Sequence, residues 1–325
     1  MCLGTFSYKG NYPSKKVGQR MSDIDLSLID LKALSEPACK LIEAVRSAVG
    51  LLYEPRHVRR MAKAEKEAAI TRAEGEVEAA IIRVEGAEEV REIALRAFAR
   101  RNNLELRRQR NIESITGKAL KELPESVSEE KVDEDWIMQF FNYCQDISNE
   151  EMQTLWARLL AGEVARPGSY SLRTLQLVRM FDKSDAELFT HFCSYVWCDS
   201  RQQAFGQFHN DQIDELLRSK DFPHPYCLHL ESLGLIDASS TVALHPEPDQ
   251  TLEFFYYGKR HLVTSPGPYK RAMLVHLLTD IGQELAPISG SESDEEYRAA
   301  LVESWIREGM TVQVSDDAKA EPNIT

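Results

Sequence analysis

TLEFFYYGKRHLVT, residues 251–264, is the stretch on which the fold turns. Aromatic and β-branched residues alternate with polar ones on both sides of Gly258, which predicts two strands turning there. Downstream, KRAMLVHLLT (270–279) is a further strand candidate and DIGQELAPI (280–288) a closing helix. Upstream, NDQIDELLRSK (210–220) and YCLHLESLGLI (226–236) read as helices, the second ending at Gly234.

Helix, helix, hairpin and closing helix is the order of a winged-helix-like unit, expected over 207–288. The preceding segment, 136–206, reads as a helical domain. WIMQFFNYCQDI (136–147) is one helix. NEEMQTLWARLLAGEV (149–164) is another, opened by the capping-box spacing of Ser148 and Glu151. PGSYSLRTLQLVRMF (167–181) turns helical after Ser169 or Ser171. AELFTHFCSYVW (186–197) follows a second capping-box spacing, Ser184 with Glu187. A proline, serines and acids make 123–135 a linker.

Before the linker, Pro55 is followed by no proline as far as 122, and good helix formers dominate. A long charged helix is expected over 55–122. Within it, RAEGEVEAAIIRVEGAEE (72–89) repeats in elevens. Thr71, Ile82, Ile93 and Leu104 share one column, and Ala64, Gly75, Gly86 and Ala97 another. An eleven-residue period favours a straight or slightly right-handed bundle. The small column suits close approach of a partner helix, from the same chain or another copy. Residues 22–54 read as an amphipathic helical segment, with Ser35 as cap and Leu41 and Val45 on its apolar side. Its few basic residues favour packing on its own protein over a membrane interface. Residues 1–21 read as a disordered or mis-started N-terminus, and 289–325 as an acidic, mostly flexible tail with one short helix. The fold class expected is mainly α: a long N-terminal helix or helical hairpin, then a helical domain ending in a winged-helix-like α+β portion.

The net charge of −13 argues against nucleic-acid binding by the whole surface. One basic strip stands out: Arg96, Arg100, Arg101, Arg107, Arg108 and Arg110, a candidate polyanion-binding site for nucleic acid or anionic lipid. Six scattered cysteines fit reduced thiols of a cytoplasmic protein. No phosphate loop, HExxH, GxSxG or CxxC occurs. His224, Cys227 and His229 lie within six residues, but their spacing is irregular for zinc, so they read as structural. Asp133, Glu134 and Asp135 suit a helix N-terminus. Glu150, Glu151, Arg158, Glu163 and Arg173 suggest a buried Arg–Glu network between helices. No catalytic, cofactor or metal residue is assigned.

WARLLAGEVARPGSYSLRTL (156–175), DAELF (185–189), LESLGLI (230–236) and LTDIGQEL (278–285) resemble a group of bacterial proteins of unknown function, and are similar to the abortive-infection alpha family. GLLYEPRHVRRMAKAE (50–65) and RRQRNIESITGKAL (107–120) extend the likeness to the first group. The motif is carried by Trp156, Arg158, Leu160, Gly162, Glu163, Pro167, Gly168, Ser169, Ser171 and Arg173, read as structural. The resemblance implies no catalytic residue and points to anti-phage defence. The expected function is that of a non-enzymatic interaction or scaffold protein. It would associate with itself through the long helix and with a further protein partner, in the cytoplasm or peripheral to the inner membrane. The alternatives are a nucleic-acid-binding regulator and a peripheral membrane scaffold.

Overall fold

A computed structural model describes residues 35–49, 88–201, 203–244, 246–265 and 273–316. The chain opens with α1 (Glu36–Val49) and α2 (Glu88–Glu122). Next come α3 (Glu134–Cys144), α4 (Glu150–Ala165), α5 (Leu172–Met180) and α6 (Lys183–Cys193). Two strands, β1 (Val196–Cys198) and β2 (Ala204–His209), lead into α7 (Asp211–Ser219) and α8 (His224–Ser232). Then follow β3 (Ile236–Leu244), β4 (Thr251–Tyr256), β5 (Lys259–Thr264) and β6 (Met273–Leu278). The last elements are α9 (Asp280–Leu285), α10 (Glu295–Arg307) and β7 (Thr311–Asp316).

The strands form one seven-stranded sheet in the order β3-β6-β2-β1-β4-β5-β7, antiparallel throughout. This overturns the mainly-α expectation with its long N-terminal helix and winged-helix end. The 251–264 hairpin forms as read, pairing Phe254 with His261. It is not a free wing: β4 is joined to β1 through Cys198 and Phe255, and β5 is covered by β7. β1 and the first half of β2 come from the 136–206 segment read as helical. Val196, Trp197 and Cys198 are all buried and follow directly on α6. A short continuous apolar run of that kind carries no period that separates strand from buried helix. β7 comes from the segment read as tail. The part of the predicted 55–122 helix that precedes Glu88 lies outside the described residues, as do 1–34.

Alternation divides the sheet. Trp197, Phe208 and Phe254 point to one face, where Trp305 of α10 meets them at ring-centroid distances of 5.5, 5.1 and 6.0 Å. Gln207, His209 and His276 therefore point to the other face. The helical half packs around Trp156, Phe140 and Ile115, all fully buried. Leu41 and Val45 of α1 are also fully buried, against α3 and α4. Two helix starts differ from expectation. Asn149, not Ser148, caps α4 by accepting from Met152 N–H. Asp182 and Asp185 form the capping box of α6. Asn and Asp accept from the first-turn amides at least as well as Ser, so the neighbouring serines misplace the boundary by one or two residues.

Candidate functional site

α2 has two halves. From Asn111 onward it is embedded: Ile112, Ile115 and Ala119 enter the core, and Asn111 is held by Gln145 O at 2.9 Å and by Gln153. Between 90 and 110 none of the described side chains is buried. At 100° per residue, positions eleven apart fall nearly in line. Ile93, Leu104 and Ile115 are such a line. Ile115 is 0% exposed, Leu104 half-buried and Ile93 51% exposed. The stripe that packs the core thus runs on into solvent, joined by Val90 and Ala97. Two more large apolar side chains, Leu95 and Leu106, are exposed on the opposite side.

The arginine strip lies on the same helix. Arg108 grips Asp146 with Nε and a terminal nitrogen at 2.9 and 3.0 Å, and Arg107 adds a longer contact of 3.7 Å. Arg96 faces Glu92. Among the described residues, Arg100, Arg101 and Arg110 are exposed and make no ion pair. Half of the strip is therefore already neutralised.

The motif residues form a backbone clamp. Trp156 and Leu160 are fully buried, and Gly162 lies against the Tyr170 ring, where a side chain would collide. Pro167 and Gly168 turn the chain, Gly168 at a φ of 84°. Glu163 accepts the N–H of Gly168 at 2.7 Å and of Tyr170 at 3.1 Å. Burial pushes its carboxyl up, against the opposing pull of these amides. Ser169 bonds Arg166 O, and Ser171 caps α5. The Arg–Glu network does not form. Arg158 donates to Ile288 O and faces Glu122, Glu151 pairs with Lys183, and exposed Arg173 makes no polar contact among the described residues. Glu163 has its amides close at hand in sequence, so it needs no arginine.

The third feature gathers side chains that the sequence keeps apart. His224 and Cys227, three residues apart on α8, share one face. That face lies over the side of the sheet carrying His276. One ligand-capable atom from each of the three lies within 4.8 Å of the others. His229 turns away and bonds Asp185 of α6 at 2.8 Å. His209 stacks on His276 with centroids 4.0 Å apart, and its Nδ1 faces Asp214 at 3.8 Å. Burial is the main cause that lowers His276 to about 4 and raises Cys227 to about 12. Cys193 and Cys198 are buried elsewhere in the core. His276 and His209 were out of reach of sequence reading, because only the β2–β6 register brings them to α8.

These features define an α+β domain with a projecting helix. The chain belongs to the family described as "Protein of unknown function (DUF2806)", which matches residues 95–302. No curated protein and no solved structure matches it. No helix among the described residues is long and apolar enough to cross a membrane.

Proposed function

We propose that this protein is a non-enzymatic interaction protein that assembles with further copies of itself through the projecting half of α2. The observation that carries the reading is that Ile115, Leu104 and Ile93 share one face of α2, with Ile115 in the core and Ile93 in solvent, although Arg100 and Asn111 lie on that face between them. Most helical stability in proteins comes from packing an amphipathic face rather than from propensity. A stripe of Val90, Ile93, Ala97 and Leu104 offers that face, and the alanine lets a second helix come close. An identical helix carries the identical stripe, which suits a self-complementary interface. Light scattering after size exclusion of the full chain tests this: an oligomer that Ile93→Glu dissociates supports it, and a monomeric wild type overturns it.

Anti-phage defence enters this reading only through the resemblance to the abortive-infection alpha family. A phage-challenge assay with and without the Ile93→Glu variant tests that part. Binding of nucleic acid or anionic membrane by the arginine strip is the weaker proposal, because Asp146 and Glu92 already engage Arg107, Arg108 and Arg96.

A further inference from the structure

We propose that His224, Cys227 and His276 bind one zinc-class transition-metal ion, with a fourth coordination position open to solvent beside exposed His224. Two independent observations meet there. The first is the ligand set itself, with its donor atoms within 4.8 Å of one another. A tetrahedral zinc with bonds of about 2.0–2.3 Å spaces its ligand atoms roughly 3.5 Å apart. Rotation of His224, which is exposed at the start of α8, closes the remainder.

The second observation is unsatisfied polarity. Six buried side-chain nitrogen or oxygen atoms lack a hydrogen-bond partner among the described residues. Three of them belong to this one spot: Nδ1 of His276, Nε2 of His209 and Nε2 of Gln207. Gln207 is the direct cross-strand neighbour of His276, and its Oε1 lies 4.0 Å from the Cys227 sulfur. An orphaned buried polar atom is costly, and the two imidazole nitrogens, unlike the donor-only Gln207 amide nitrogen, are lone-pair acceptors that suit a cation. His276 is only 4% exposed, so bulk water does not reach it freely.

The donor set selects the ion. A thiolate and two imidazoles suit zinc and its softer neighbours, whereas calcium and magnesium require oxygen ligands. Three protein ligands with one open position is the arrangement of reactive rather than purely structural zinc sites. On binding, the Cys227 sulfur–hydrogen bond breaks, its proton passes to solvent, and the two imidazoles enter as neutral ligands. His209, stacked on His276 with its Nδ1 3.8 Å from Asp214, lines the site without entering the ligand set. The ion would tie α8 to β6 across the sheet face.

The test uses the full chain, expressed without a histidine tag. Metal content is measured after dialysis, and the chelated protein is then titrated with zinc and with cobalt(II). The expected result is about one zinc per chain and, with cobalt, a thiolate-to-metal charge-transfer band with tetrahedral d–d bands. Cys227→Ser removes the charge-transfer band. His224→Ala, at an exposed position that leaves folding intact, weakens zinc binding at least tenfold. His229→Ala, whose ring is engaged with Asp185, leaves both unchanged. Substoichiometric metal in the wild type, or equal zinc affinity in wild type and His224→Ala, overturns the assignment.

Discussion

Glu163 Oε1 accepts the backbone N–H of Gly168 at 2.7 Å, five residues along the chain. Its other oxygen accepts from Tyr170, so one buried carboxylate shapes the whole turn between α4 and α5. The Tyr170 carbonyl in turn receives the Trp136 indole at 2.8 Å, which fastens that turn to α3. Glu163→Gln keeps one acceptor and turns an NH₂ toward the other amide. The expected loss is about 1–3 kcal/mol, the cost of a buried donor left without a partner. Arg173→Ala, at an exposed site, is expected to stay within about 0.5 kcal/mol of wild type. Urea denaturation of both variants checks this. Equal losses would favour an Arg–Glu network over the backbone clamp.

The bidentate contact of Arg108 with Asp146 fixes α2 where it leaves the core. Hydrogen bonding by Arg108 holds the Asp146 carboxyl below its ordinary value. A carboxyl depressed by folding contributes stability above its unfolded pKa, and that contribution disappears as pH falls through the folded value. Asp146→Asn is therefore expected to be less stable than wild type at pH 7. The two should begin to converge as pH falls below the usual aspartate value of about 3.9 and meet once it passes the lower folded value of Asp146. Thermal melts at stepped pH read this directly. A constant difference across the range would place the effect of the substitution elsewhere.

Ile93→Glu separates assembly from folding. The side chain is half exposed and far from the core, so a monomer's stability should change by no more than about 0.5 kcal/mol. An interface built on the stripe should weaken at least tenfold, which is about 1.4 kcal/mol. Sedimentation across a concentration series measures the second, and denaturation of the dissociated protein the first. Arg110→Glu, on a different face of the same helix, serves as a charge control. If it dissociates the assembly as strongly as Ile93→Glu, the apolar stripe is not the contact.

What the sequence could and could not reveal follows from the range of the interactions. The 251–264 hairpin, the embedded helices α3 to α5 and the acidic first turn of α3 are written in local pattern, and all were legible. The sheet was not. β1 is only three residues long and apolar throughout; β7 does alternate, Val312 and Val314 against Thr311, Gln313 and Ser315, but the acids that follow it make the segment read as tail. Both are strands because neighbours distant in sequence supply their hydrogen bonds. The same limit applied to the metal-ligand set. Local spacing grouped His224 and Cys227 with His229, although 229 faces another side of α8. His276, forty-nine positions from Cys227, is brought in only by strand register. The clamp at Glu163 was half legible: its burial was expected, but amides and not arginines satisfy it.

Gly206 and Gly168 offer a last comparison, because alanine should harm them for different reasons. A Cβ at 206 would run into the backbone carbonyl of His276 on the paired strand. β2 and β6 would have to move apart, at a cost of about 1–3 kcal/mol typical of overpacking. At Gly168 nothing lies within 4 Å of a Cβ, but φ is 84°. There the cost is the left-handed backbone, roughly 1–2 kcal/mol for most residues and less for asparagine. Gly168→Asn should therefore recover part of the stability lost in Gly168→Ala. Gly206→Asn should be worse than Gly206→Ala, since its larger side chain meets the same carbonyl. Denaturation of the four variants decides the matter. Because Gly206 sets the distance between β2 and β6, its alanine variant should also move His276 relative to α8 and weaken zinc binding, while Gly168→Ala leaves the metal site untouched. If both alanine variants lost zinc affinity alike, β2–β6 spacing would not be what positions His276.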